Sequence, residues 1–301
     1  AAARRAAAGG VTTVRDLGDR GYLALGLRDA AARDHSLPTI LAAGPPITTP
    51  GGHCHFLGGP AEGADGVRTA VRVHAERGVD VIKIMASGGN LTSGSAPQHS
   101  QFGPAELRAA QEQAHRLGLP IVAHAHGTQA IRDALAAGLD GLEHVSFMTS
   151  DGVDPVPGDV LDALARSAVT VGLTMGLKPL PGAGPPPEIA KRMPALLANA
   201  QALHRAGASI ILGTDAGVGP VKPHDAARWG VADLVAMIGM SPREALLTVT
   251  SRAAAALGLG DRKGRIAAGY DADILAVAGD PLTDPSALHA VRAVFVRGRR
   301  I

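Results

Sequence analysis

Four side chains able to bind metals or move protons each close an apolar run of their own. Lys83 lies in Val79-Asp80-Val81-Ile82-Lys83-Ile84-Met85, His124 ends Pro120-Ile121-Val122-Ala123-His124, His144 ends the run from Leu139, and Asp215 follows Ile210-Ile211-Leu212-Gly213-Thr214. The Lys83 run is short, β-branched, apolar on both faces and followed by Gly88-Gly89, which reads as a strand of a parallel sheet. Side chains alternate along a strand, so Lys83 shares a face with Val79 and Val81. An isolated ammonium there is costly, and a buried lysine loses its charge or gains a partner. The plainer alternative is that Lys83 sits at the wet end of its strand and snorkels.

A single histidine at a strand end is ordinarily a hydrogen-bonded polar residue and nothing more. Four such residues at matching ends are harder to read that way. Two imidazoles, a carboxylate and a lysine on one rim form a metal-ligand set if the lysine becomes an anion. Reaction of the amine with CO2 gives a carbamate, whose two oxygens can bridge two cations, and this also removes the buried ammonium.

The elements that must position these residues alternate strictly. Strands are predicted at 11–14, 38–43, 79–85, 120–127, 139–144, 168–173 and 208–215. Helices are predicted at 1–8, 21–35, 64–77, 104–117, 128–137, 158–167, 188–206, 224–239 and 242–257. Such alternation argues for an α/β fold with a parallel sheet and right-handed crossovers. A closed (β/α)8 barrel and an open doubly wound sheet both fit, and no GxGxxG follows the first strand to favour dinucleotide binding. In a parallel barrel the chemistry sits at the C-terminal ends of the strands, where all four residues fall. Seven strands behind a helix-like start predict a further strand upstream of Ala1. Segment 86–103, rich in glycine and serine, is predicted to be a mobile lid. The tail changes character, with short strands predicted at 264–266, 272–277 and 291–296 and turns between them. The barrel lacking its first strand, or the open sheet, would cover residues 1–258, and residues 259–301 would form a small β layer outside it.

Composition narrows the partners. The chain has 301 residues, 46% hydrophobic and 19% charged, enough for one large core with a small appendage. The net charge of +2 is spread out apart from a basic tip at Arg297, Arg299 and Arg300, and aromatics are 2%, so no nucleic-acid surface is expected. Cys54 is the one cysteine, which excludes an internal disulfide framework and fits a reducing compartment. No apolar run approaches the roughly 20 residues of a membrane span and no secretory signal is visible, so a cytoplasmic location without membrane contact is expected.

The motifs VDVIKIMASGG, PIVAHAHG, GLDGLEHVSF, ILGTDAGV and GRIAAGYDADILAV, with a final VFVRGRR, together resemble the amidohydrolase superfamily. The likeness is closest to the branch of imidazolonepropionase-like enzymes and metal-dependent Xaa-Pro dipeptidases (prolidases), and it runs from about Gly10 to the last residue. It implies a distorted TIM (β/α)8 barrel over residues 1–258, here lacking its first strand, a small composite β-sandwich to which residues 259–301 contribute, and one or two divalent ions, commonly zinc. By this resemblance Lys83 is the carboxylated bridging lysine, and His124 and His144 are ligands of the more exposed metal. Asp215 ligates the buried metal and shuttles the proton. His126 and His53 belong to the substrate site, where His126 meets the oxyanion or a substrate carboxylate. The implied reaction is hydrolysis of an amide or peptide C–N bond by a metal-activated hydroxide. A small-molecule or dipeptide-like substrate is implied, from the dipeptide, N-acyl-amino-acid or cyclic amide class, and homo-oligomers are common in the family.

One departure is large. The family's first strand ends in a His-x-His pair that holds the buried metal, and nothing before Gly10 supplies it. His53-Cys54-His55 has the spacing, but it follows the wrong strand in a Gly/Pro loop and reads as a false match. The expectation is therefore a fragment of a longer protein, or else a degenerate buried site. Two rivals stand beside the hydrolase reading. A Schiff-base lyase using the Lys83 amine gives no reason for the other three residues to converge. A catalytically incomplete barrel would bind a ligand or one metal without turnover.

Overall fold

The computed structural model describes residues 1–182 and 184–301. Strands β1 (Thr13–Asp16) and β2 (Thr39–Ala42) form a parallel pair. Five further parallel strands follow in chain order as one sheet: β3 (Ile82–Met85), β4 (Ile121–Ala125), β5 (Gly141–His144), β6 (Thr170–Thr174) and β7 (Ser209–Gly213). The two sheets are stitched together beside Lys83. Ile47 N–H donates to the Lys83 carbonyl and Met85 N–H to the Ile47 carbonyl, each at 2.8 Å, while Ala42 N–H donates to the Asp80 carboxylate at 2.9 Å. Seven parallel strands thus run round one arc, and among the described residues no ladder joins β7 to β1.

Helices follow the strands and cover the outside of the arc. After α1 (Ala2–Ala8), which precedes β1, they include α2 (Leu23–Arg33), α3 (Gly63–Glu76), α4 (Pro104–Arg116), α5 (Thr128–Ala136), α6 (Gly158–Arg166) and α7 (Pro187–Arg205). Fully buried Ile82, Ile84, Ile121, Leu142 and Ile210 from the strands pack in one cluster with Val67, Leu107, Ile131, Leu164 and Leu203 from the helices. A smaller cluster of Ala43, Val81 and Val122, with Leu17 against it, fills the inside of the barrel. This is the layered packing of a parallel α/β barrel, and no described helix is long and apolar enough to cross a membrane.

Several boundaries differ from the sequence expectation. β1 begins later than predicted, so Arg15 and Asp16 belong to the strand and not to its loop, and Arg15 becomes available to the barrel interior. On α2 the buried residues are Ala24, Leu25 and Ala31, whereas Leu23 is 73% exposed. The helix expected over 224–239 is α8 (Ala227–Asp233) running into a π-turn (Leu234–Ile238). The one expected over 242–257 is two helices, α9 (Pro242–Leu247), opened by a Ser241–Glu244 capping box, and α10 (Ser251–Ala256). Segment 86–103 is folded back on the end of β3, with Gly88 N–H on the His99 carbonyl at 2.9 Å and Gln101 N–H on the Ala86 carbonyl at 2.8 Å.

The tail is a three-stranded antiparallel sheet of β8 (Ile274–Val277), β9 (Val291–Val296) and β10 (Arg299–Arg300). Ala7 of α1 packs on Val294 and Val296 of this sheet. The strand expected at 264–266 is absent. Lys263 turns inward onto Asp271 and Asp273, at 2.8 and 2.6 Å, and Ile266 is left 84% exposed with no strand to pair.

Inside the barrel, Arg15 of β1 forms an ion pair with Glu143 of β5 at 3.0 Å, the side chains being 10% and 12% exposed. Glycine makes the room. Gly172 stands beside Glu143 in the β5–β6 register, and a Cβ there would collide with the Glu143 carboxylate. Gly172→Ala is therefore expected to cost about 1–3 kcal/mol through overpacking, read as a lower urea midpoint at unchanged m-value.

Candidate metal centre

Register decides which residues look inward. Neighbouring residues of a parallel ladder share a face, and Lys83 pairs with Val122, Met85 with His124, and His124 with Glu143. Lys83, His124 and Glu143 therefore share the inner face, with His126 two residues beyond His124. Strict alternation would send His144 to the outer face. The backbone prevents this, because His144, Val145 and Phe147 take φ values of 74, 47 and 56°, left-handed at three non-glycine positions. Strain of this kind persists where the surroundings enforce it and is frequent at functional sites. The result is an imidazole group at the barrel mouth. His126 and His144 stack with centroids 4.6 Å apart and planes at 21°. His124 meets both edge-on at 4.4 and 4.6 Å, and His53 lies 4.7 Å from His124.

Burial sets the protonation of the group. It pulls the His53 imidazole down to about 4 and His126 to about 3, with the Lys83 charge adding to both. His124 and His144 fall well below the ordinary histidine value through burial, reinforced by His126. The Lys83 amine, 4% exposed, comes down to about 8, with burial the main cause and Glu143 opposing it. Neutral imidazoles are the form that donates to a metal. These depressed values make acid destabilising. The unfolded chain takes up protons from about pH 6.5 downward, whereas the folded chain resists until about 4 at His53 and about 3 at His126. The ion-free protein should lose stability between those limits, His53 alone contributing on the order of 3 kcal/mol. Urea unfolding at pH 7 and pH 4.5 measures the loss.

Three of the four rings have one nitrogen tied down, and His53 Nδ1 has no partner among the described residues. His124 Nε2 lies 2.9 Å from the Gly88 carbonyl, which only accepts, so Nε2–H donates and Nδ1 is left with its lone pair. His126 Nδ1 lies 2.6 Å from Ser146 Oγ, and His144 Nδ1 lies 2.6 Å from Thr174 Oγ1. One nitrogen from each of His124, His126 and His144 lies within 4.8 Å of the others. A tetrahedral site with bonds of about 2.1 Å needs edges of about 3.4 Å, within reach of small ring rotations. The donor set therefore fits one divalent ion.

The remaining expected residues fall in different places. Lys83 is inside beside the histidines, and its amine makes no hydrogen bond among the described residues. Asp215 opens the loop after β7 with φ 54°, is exposed, and lies outside the three-imidazole group, although its charge is felt at Lys83 and His53. His55 turns to solvent with Nδ1 3.0 Å from the Gly52 carbonyl, so His53 and His55 do not converge on the site as a pair. Sequence reasoning missed Arg15, Glu143, Ser146 and Thr174. Period-two alternation marks Glu143, and not His144, as inward, and that signal was available.

The whole chain, residues 1–301, matches the amidohydrolase family. The chain belongs to that family. Ochratoxinase of Aspergillus niger is 32% identical over 240 residues, 78% of this chain and 48% of its own length, so the chain spans about half of that relative. Imidazolonepropionase of Pseudomonas putida is 32% identical over 182 residues, 60% of this chain and 40% of that enzyme. A solved Xaa-Pro dipeptidase with methionine in its active site superposes with a TM-score of 0.85 at 28% identity, covering 99% of this chain and 77% of that one. This amidohydrolase therefore shares the TIM-type barrel of the prolidase-like branch.

Proposed function

We propose that the protein is a metal-dependent hydrolase of amide bonds acting on small substrates of the dipeptide, N-acyl-amino-acid or cyclic amide class. The observation that carries this reading is the convergence of three neutral imidazoles, His124 and His126 buried and His144 partly so, beside a buried lysine with no hydrogen-bond partner among the described residues. The printed names of the relatives, an ochratoxinase and an Xaa-Pro dipeptidase holding methionine, favour small amide-bonded substrates.

Residue roles follow from position. Lys83, low enough in pKa to offer free amine near neutrality, adds to CO2 with loss of a proton and becomes a carbamate anion facing the histidines. The carbamate, His124 Nδ1 and His144 Nε2 would hold the ion, most plainly zinc, with Asp215 as a further ligand when its loop turns inward. A bound divalent ion supplies Lewis acidity, lowering the pKa of water toward 7 and polarising a carbonyl. Asp215 takes the proton of the attacking water and returns it to the leaving nitrogen. His126 Nε2 points to where the carbonyl oxygen gains charge, and His53 helps to close the site from water.

The low lysine pKa also suits a Schiff-base enzyme, but that chemistry leaves the three imidazoles without a task. A panel of dipeptides, N-acyl amino acids and cyclic amides, tested with zinc, after chelation and after zinc is restored, separates the two. Hydrolysis that disappears and returns with zinc is expected. Borohydride trapping of a substrate carbonyl on Lys83 would overturn the hydrolase reading, as would no turnover of any substrate by zinc-loaded protein.

A further inference from the structure

Thr174 ends β6, pairs with Gly213 of β7 and lies two residues beyond the inward Gly172, so its hydroxyl is on the inner face. It meets His144 Nδ1 at 2.6 Å. Ser146, within the left-handed turn after β5, meets His126 Nδ1 at the same distance. The strained backbone at His144 fixes where the side chain starts but not which ring edge faces the site, because the terminal torsion of histidine is broad and roughly two-fold. With the ring flipped, Nδ1 and not Nε2 would face His124. At His144 a hydroxyl that accepts from Nδ1–H leaves the Nε2 lone pair pointing at the other imidazoles, whereas at His126 a hydroxyl that donates to Nδ1 leaves Nε2–H free to donate to a substrate oxygen.

We propose that Thr174 and Ser146 are positioning residues that select the nitrogens presented by His144 and His126, Thr174 for metal affinity and Ser146 for substrate. This rests on the metal-dependent reading above. Zinc affinity of the full chain, measured by competition with a chromophoric chelator, tests it together with the visible spectrum of the cobalt-loaded protein. Thr174→Val, nearly isosteric but without the hydroxyl, is expected to weaken zinc binding 10- to 100-fold and change the cobalt spectrum. Thr174→Ser, which restores the hydroxyl, should return both toward wild type. Ser146→Ala should raise KM by a larger factor than it weakens zinc binding. Thr174→Val with wild-type affinity and spectrum would overturn the proposal while leaving the hydrolase reading intact, and so would Thr174→Ser failing as badly as Thr174→Val. Wild-type protein that holds neither zinc nor cobalt would defeat both.

Discussion

Lys83→Met protein should fold, retain little or no zinc after dialysis, and hydrolyse amides at least roughly 10³-fold more slowly than wild type, the loss of several kcal/mol of Lewis-acid stabilisation. The side chain is 4% exposed on a strand whose four residues are all buried, and burial is the main cause that brings its amine down to about 8. Methionine fills a similar volume and suits an apolar face, so removing the amine should cost the fold little. What it removes is the nitrogen we propose to carry the carbamate. Zinc content and turnover should therefore fall together while the urea midpoint holds or rises. Full activity in this variant would mean that the lysine does nothing to the reaction.

Arg15→Met should have the opposite character, with a large loss of stability. Glu143 would keep a carboxylate on the inner face of the barrel without its counter-charge, and breaking one side of a buried pair costs about 3–5 kcal/mol. The side chains are 10% and 12% exposed, which sets this pair apart from the surface pairs on the helices, such as Lys191–Glu188 at 73% and 71%. Adding Glu143→Gln to Arg15→Met removes the stranded charge and should recover most of the loss. A double-mutant cycle in urea measures the coupling, and a cost below about 1 kcal/mol for the single variant would show that the pair is solvated.

Much of this architecture was legible in the sequence because parallel strands buried on both faces advertise themselves. The runs around Ile82, Ile121, Leu142, Val171 and Ile210 are apolar, short and separated by helices, and each became a strand in chain order. The convergence of Lys83, His124 and His144 was legible for the same reason, since barrel chemistry gathers at strand ends. What could not be read depended on contacts between distant positions or on backbone angles that residue type does not announce. The left-handed turn that brings His144 inward involves histidine, valine and phenylalanine, none of which signals a positive φ. The partner of Arg15 lies 128 residues away. Thr174 and Ser146 are ordinary hydroxyl residues until their distances to ring nitrogens are known. The segment 264–266 looked like a strand locally, but Lys263 found two partly buried aspartates instead.

Crystals grown with zinc and bicarbonate, with diffraction recorded on both sides of the zinc absorption edge, test most directly that a divalent ion gathers these residues. The expected result is an anomalous peak about 2.1 Å from His144 Nε2 and His124 Nδ1, with density for a carboxylated amine on Lys83. Zinc bound elsewhere or not at all, beside an unmodified Lys83, would contradict it.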